Sequence, residues 1–251
     1  MNKKDMIINK VISKNNLKKD NNNYIVELEN VSEEFKMGSS VIKALDNINL
    51  KIKRGEFLSI IGTSGSGKST LLNVVGGLLK PTIGKVIVGG IDISTYSDNE
   101  MANYRKNMVG FVFQSFNLIP TLTALENVEY PMIFSGISRA ERLKRSEEIL
   151  EKLGLHDRLK HNPTELSGGE QQRVSIARAI INEPEIILAD EPTGNLDSKT
   201  GKGIMDVLKT INEEMGRTLI VVTHDIYISY YSDRRVYLSD GKIEKIEEVK
   251  V

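Results

Sequence analysis

Five short segments of this chain carry residue types suited to phosphate chemistry. Gly62, Thr63, Ser64, Gly65, Ser66, Gly67, Lys68 and Ser69 fit the pattern G-x-x-x-x-G-K-[ST] without a mismatch. The three glycines let the backbone curl so that successive N–H groups face inward around phosphate oxygens. A helix opening at this point adds about half a positive charge at its N-terminus. Lys68 is placed to bridge the β- and γ-phosphates, the Ser69 hydroxyl to hold Mg²⁺, and Thr70 completes the nucleotide-binding run. Further on, Ile186 to Ala189 deliver Asp190 at the carboxyl end of a strand, where ligands sit in open α/β sheets. A carboxylate there holds Mg²⁺ through water. Glu191 follows at once, and its useful role is to orient and deprotonate the water that attacks the γ-phosphorus. Gln114 draws its weight from position: it ends VGFVFQ, where it could sense Mg²⁺ and the γ-phosphate and act as a hinge. His224 ends a further apolar strand. It is either a structural histidine or a hydrogen-bond partner that stabilises charge in a loose phosphoryl-transfer transition state.

The remaining segment, LSGGEQQR from Leu166 to Arg173, has no obvious task in its own chain. Ser167, Gly168 and Gly169 precede a helix, so the turn offers a hydroxyl, close backbone approach and N–H groups to an anion. That makes a second phosphate-binding cup in a chain with a single phosphate loop. The simplest resolution is a two-fold, head-to-tail dimer in which each cup closes over the γ-phosphate held by the other subunit.

These residues need strands that end side by side and helices that start there. Tyr24 onward alternates as a strand, Ile48, Leu50 and Ile52 continue with period two, and Arg54-Gly55 turns. Phe57 to Ile61 reads as a compact apolar strand, followed by the glycine loop and a helix from Lys68 to Leu79 stopped by Pro81. Lys85 to Val88, Val109 to Phe113, Ile186 to Ala189 and Leu219 to Val222 are further strands. Val236 to Leu238 and Lys242 to Ile246 flank the hairpin signal Asp240-Gly241. Between Gln114 and Leu166 the pattern turns helical. Ser138 and Glu141 have capping-box spacing, Leu143, Ile149, Leu150 and Leu153 share a face, and Gly154 ends the helix. A helix from Gly169 to about Asn182 returns the chain to the core. The fold class that results is α/β: a phosphate-loop NTPase core of RecA-like type, an antiparallel β subdomain and an inserted helical subdomain. The expected division is 24–114 and 171–246 for the core with its β subdomain and 115–170 for the helical subdomain. Residues 1–23 and 247–251 are the tails.

Composition narrows the class. Lys plus Arg and Asp plus Glu both number 34, so the balanced charge gives no support for a broad nucleic-acid face, and no nucleic-acid partner is expected. The absence of cysteine excludes disulfides and thiolate metal sites. No apolar run approaches the roughly 18–20 residues of a membrane helix, so any membrane-embedded partner is expected to be a separate chain. Ile8, Val11 and Ile12 fall at helical spacing in the lysine-rich start, which reads as a solvated tail or a short amphipathic helix.

LSGGEQQR together with GTSGSGKS and ADEPTGNLD resembles the nucleotide-binding subunit of an ABC (ATP-binding cassette) transporter, over roughly residues 24–246. The resemblance implies ATP as nucleotide, Mg²⁺ as cofactor, and a homodimer with two competent sites at the cytoplasmic face of the membrane, coupled to a permease subunit. It implies that Phe35 stacks on adenine, that Gln171 belongs with Ser167, Gly168 and Gly169 to the signature acting in trans, and that Asn195 and Asp197 lie on a loop crossing the dimer interface. With Glu191 present, hydrolysis is implied. FVFQSFNLIPTLTALENVEYP and ADEPTGNLDSKTG resemble the ATPases of the lipoprotein-releasing and macrolide- or antimicrobial-peptide-export group, with a similar ATPase of cell division as the alternative. A soluble DNA-repair-type relative would insert long coiled-coil arms between Gln114 and Leu166, where this chain has no sustained heptads.

Overall fold

The computed structural model describes residues 23–249 apart from residue 39. The tail expected over 1–23 lies, but for Asn23, outside the described residues, as do the last two residues. Along the chain the strands are β1 (Tyr24–Met37), β2 (Ser40–Lys53), β3 (Phe57–Ile61), β4 (Ile83–Val88), β5 (Ile91–Asp92), β6 (Val109–Phe113), β7 (Ile186–Asp190), β8 (Thr218–Thr223), β9 (Arg234–Ser239) and β10 (Lys242–Glu248). The α-helices among the described residues are α1 (Lys68–Val75), α2 (Asp98–Met108), α3 (Ala124–Ile133), α4 (Arg139–Lys152), α5 (Gly168–Ile180) and α6 (Ser198–Met215).

Two sheets form. The smaller is antiparallel, in the order β2-β1-β4-β5, and buries Ile48, Leu50 and Ile52 as their period-two spacing requires. The larger has the order β10-β9-β3-β8-β7-β6 and is parallel except for the terminal β9–β10 hairpin. β3 and β8 are buried along their whole length and β7 is buried up to Asp190, so their sequences read as unbroken apolar runs. Leu58, Ile60, Ile220 and Val222 pack with Leu71, Leu72 and Val75 of α1 and with Met101 and Tyr104 of α2. Their neighbours in sequence, Phe57, Leu219 and Val221, point to the other face, against Ile176 and Ile180 of α5 and Ile204, Met205 and Leu208 of α6. A third cluster joins Val128 and Met132 of α3, Leu150 of α4, and Val174 and Ala177 of α5. Thus α5 is shared: one side covers the sheet and another completes the helical region.

Three local readings change. The helix after the glycine loop ends at Val75 rather than Leu79, because Gly77 takes a left-handed φ of 68° and Gly76 packs where a Cβ would lie 2.2 Å from the Phe111 ring. The Ser138 hydroxyl accepts the Glu141 N–H at 3.4 Å, but Glu141 does not reach back to close a capping box. The last strand runs past Ile246: Glu247 and Glu248 pair with Arg235 and Arg234, and the Tyr237 hydroxyl donates to Glu247 at 3.0 Å. Helix α2 carries no visible apolar stripe, burying only Met101 and Tyr104; Ser97 and Glu100 cap it reciprocally.

Candidate functional site

Parallel pairing places the chemistry-bearing residues at one edge. Phe113 stands opposite Asp190, Asp190 opposite Val222, and Ile61 opposite Thr223. The residues that follow these strand ends, Gln114, Glu191, His224 and Gly62, therefore emerge from the same carboxyl-terminal edge of the sheet.

The glycine loop turns back from β3 into α1. Gly65 and Gly67 have φ values of 80° and 100°, and a Cβ on Gly67 would lie 2.4 Å from the Ala44 carbonyl oxygen. The Lys68 side chain is buried and its ammonium donates to the Gly62 and Thr63 carbonyls at 2.8 and 2.7 Å. An ammonium has three N–H donors, so one is left for an incoming anion. The Ser69 hydroxyl donates to Asp190 Oδ1 at 3.1 Å. Burial raises the Asp190 carboxyl above its ordinary range, the Ser69 hydrogen bond opposes that, and the neighbouring Glu191 adds to it. A hydroxyl and a carboxylate this close form a hard-oxygen pair that suits Mg²⁺, an ion that keeps much of its water.

Glu191 has a left-handed φ of 44°, held by its N–H on the Val222 carbonyl at 3.0 Å. Its Oε2 lies 2.9 Å from His224 Nδ1, while the imidazole is otherwise largely exposed. A carboxylate only accepts, so the shared proton belongs to Nδ1 and Nε2 is turned to the other side of the ring. Sequence reasoning brought His224 to the phosphate and did not anticipate this contact with Glu191.

A cleft of about 410 Å³ lies over the loop, bounded by Ser64, Lys68, Ser69, Thr70, Glu191 and, from the antiparallel sheet, Ile42. Asp240 and Gly241, the turn between β9 and β10, close its far side. The Gly241 N–H donates to the Ser66 carbonyl at 3.0 Å and its carbonyl accepts the Asp46 N–H at 2.8 Å, so this hairpin braces the glycine loop. That brace was missed; the turn signal was visible, but nothing in it says which loop it touches. Phe35 is 38% exposed on β1 opposite Ile42, which reaches the cleft. The Gln114 amide nitrogen donates to Asn195 Oδ1 at 3.4 Å and the Asn195 amide returns a bond to the Gln114 carbonyl at 3.0 Å. Gln114 thus leans on the loop after Glu191 and does not line the cleft over the glycine loop.

Ser167 caps α5. Its hydroxyl and N–H both donate to Glu170 Oε2, at 2.7 and 2.8 Å, and Arg158 donates to Glu170 Oε1 at 2.8 Å. The Ser167 hydroxyl and N–H, followed by Arg158, hold the Glu170 carboxyl down at about 2. Gly168 and Gly169 are needed for packing: a Cβ on Gly169 would lie 2.5 Å from Thr200 of α6. Gln171 donates to the Leu166 carbonyl at 3.0 Å. Asp197 caps α6, accepting the Lys199 and Thr200 N–H groups at 3.1 Å each. None of residues 166–171 lines the cleft over the glycine loop.

Residues 45–194 match the family model described as ABC transporter. The chain belongs to the ABC transporter family. An uncharacterised ABC transporter ATP-binding protein of Methanocaldococcus jannaschii, MJ0796, is 54% identical over 90% of this chain and 98% of its own length. The macrolide export ATP-binding/permease protein MacB of Bartonella henselae is 47% identical over 87% of this chain, which spans 33% of that longer protein. Among solved structures, a dimeric post-hydrolysis state of MJ0796 bound to ADP and Pi superposes with a TM-score of 0.84 at 53% identity, covering 90% of this chain and 99% of that one. CbiO1 of Clostridium perfringens gives 0.80 at 31% identity, covering 90% and 89%. As a member of this family the chain is an ATP-binding, ATP-hydrolysing cassette that works with Mg²⁺, built on the phosphate-loop NTPase fold with an antiparallel β subdomain.

Proposed function

We propose that two copies of this ABC cassette close head-to-tail around two ATP molecules and that closure drives a membrane permease subunit. The observation that carries this reading is the separation of two phosphate-binding elements. The Lys68 loop, Asp190, Glu191 and His224 meet at one sheet edge, while Ser167 and its helix terminus sit outside the cleft they form. Ser167 is exposed at the start of α5 with its hydroxyl held by Glu170, and this terminus has an anion to receive only when a second chain brings its triphosphate.

In this reading adenine stacks against Phe35, and residues Gly62 to Thr70 wrap the phosphates. Ser69, Asp190 and Gln114 would hold Mg²⁺, which would supply neutralising charge to the phosphates. Gln114 must leave Asn195 to take part. Lys68 spends its remaining donor on the γ-phosphate side, and Glu191 takes a proton from the attacking water. His224 steadies that carboxylate through Nδ1, and its Nε2 donates to the phosphate only when the ring carries a proton on both nitrogens. Ser167, Gly168, Gly169 and Gln171 of the partner cap the γ-phosphate, and Asn195 and Asp197 cross the interface. The working parts are 24–114 with 171–246, and 115–170. Closure helps only through the tighter binding of ATP in the closed state.

The permease contact belongs in the groove between the β6 edge and α3, about 770 Å³, with Phe111, Pro131 and Phe134 as apolar walls and Arg105 on its rim. It adjoins Asn117 in the segment after Gln114, so pressure there reaches the ATP site. Membrane attachment is peripheral, at the cytoplasmic face; no helix among the described residues is long and apolar enough to cross a bilayer. Similarity to MacB supports the export branch that handles macrolides, antimicrobial peptides or lipoproteins. The test is Glu191→Gln with ATP and Mg²⁺ in gel filtration. A dimer that forms with ATP and persists supports the scheme, and hydrolysis at the wild-type rate rejects Glu191 as the base.

A further inference from the structure

The signature helix α5 touches the active-site edge of its own chain through two side chains that the scheme above does not use. Gln172 is fully buried. Its amide nitrogen donates to the Pro192 carbonyl at 2.6 Å and, more weakly, to the Phe113 carbonyl at 3.4 Å. Those carbonyls belong to the residue after Glu191 and the residue before Gln114. Both partners are acceptors, so the amide orientation is fixed: nitrogen faces them, and Oε1 is left buried with no partner. One helical stretch further on, Arg178 donates to the Asn117 and Phe116 carbonyls at 2.5 and 2.8 Å. Phe116 and Asn117 both take left-handed φ values, 60° and 49°. Two consecutive non-glycine residues there do not persist without an outside hold, and the guanidinium is that hold.

We infer that Gln172 and Arg178 are positioning residues which lock the Gln114 segment and the Glu191–Pro192 turn to the signature helix of the same chain. Gln172 grips the segment before Gln114 and Arg178 grips it after. The helix that begins at the Ser167 cap is therefore tied, further along, to the chain's own base turn and Gln114 segment. The inference rests on Glu191 as base and on Ser167 acting across the dimer.

Gln172→Met removes both donated bonds at nearly constant volume, and Arg178→Met removes a half-buried guanidinium that forms no ion pair among the described residues while keeping an unbranched apolar stem. Each variant is measured for melting temperature, binding of a fluorescent ATP analogue, steady-state kcat and KM, and dimer content with ATP and Mg²⁺. A misplaced base and hinge should lower kcat by about tenfold to a hundredfold while nucleotide affinity stays within about twofold. ATP dimer should then accumulate without the Glu191→Gln change, a signature that simple loss of packing does not produce. Wild-type kcat in both folded variants overturns the inference, as does a fall in kcat with no ATP dimer, or loss of the folded state in both. Glu191→Gln measured alongside separates the failures. If it traps the dimer while Gln172→Met and Arg178→Met turn over normally, the scheme stands and only the positioning role falls.

Discussion

Side chains at the sheet edge divide the labour between holding charge and moving a proton. Lys68 is folded onto the loop's own carbonyls, so Lys68→Ala removes both the internal clasp and the donor kept for phosphate. ATP affinity should fall by at least about tenfold, the loss of a charge-assisted bond of roughly 1.5–3 kcal/mol, as titration with a fluorescent analogue would show. Ser167→Arg fills the cap with a long cation; monomeric ATP binding should remain while ATP-dependent dimer and turnover disappear. Full activity independent of protein concentration would reject the shared site. At this scale the sequence was generous about identity and silent about contact. Lys68, Ser69, Asp190 and Glu191 announce themselves by type and spacing. The bond from His224 Nδ1 to Glu191 and the lean of Gln114 on Asn195 depend on how two strand ends and a loop meet, which no local pattern encodes.

At the level of elements, legibility followed apolar patterning. β3, β7 and β8 were readable because burial on both faces demands unbroken apolar runs. α2 was not, because a helix that buries only Met101 and Tyr104 has no stripe to see. The early stop of α1 at Gly76 is a packing event against Phe111 and was equally hidden. Within the helical region, Leu150 is completely buried, and Leu150→Ala should cost about 2–5 kcal/mol in urea unfolding. The cap of α5 titrates. The Glu170 carboxyl is held near 2 in the folded chain against an ordinary 4.5, so its contribution is present above about 4.5 and is lost as pH falls toward 2. Thermal melts of Glu170→Gln should therefore show a shallower loss of stability than wild type across that window; parallel curves would mean that the ionised carboxylate contributes nothing.

Across the whole molecule, one feature ties distant stretches together. Gly241, in the last hairpin, gives its N–H to Ser66 and its carbonyl to Asp46, between the glycine loop and the antiparallel sheet. The β9–β10 turn thus rests on the very loop of amides that receives the triphosphate. A side chain at Gly241, whose φ is 75° and where a Cβ would lie 2.8 Å from the Ala44 carbonyl oxygen, would push this brace off the loop and loosen the seat of the nucleotide.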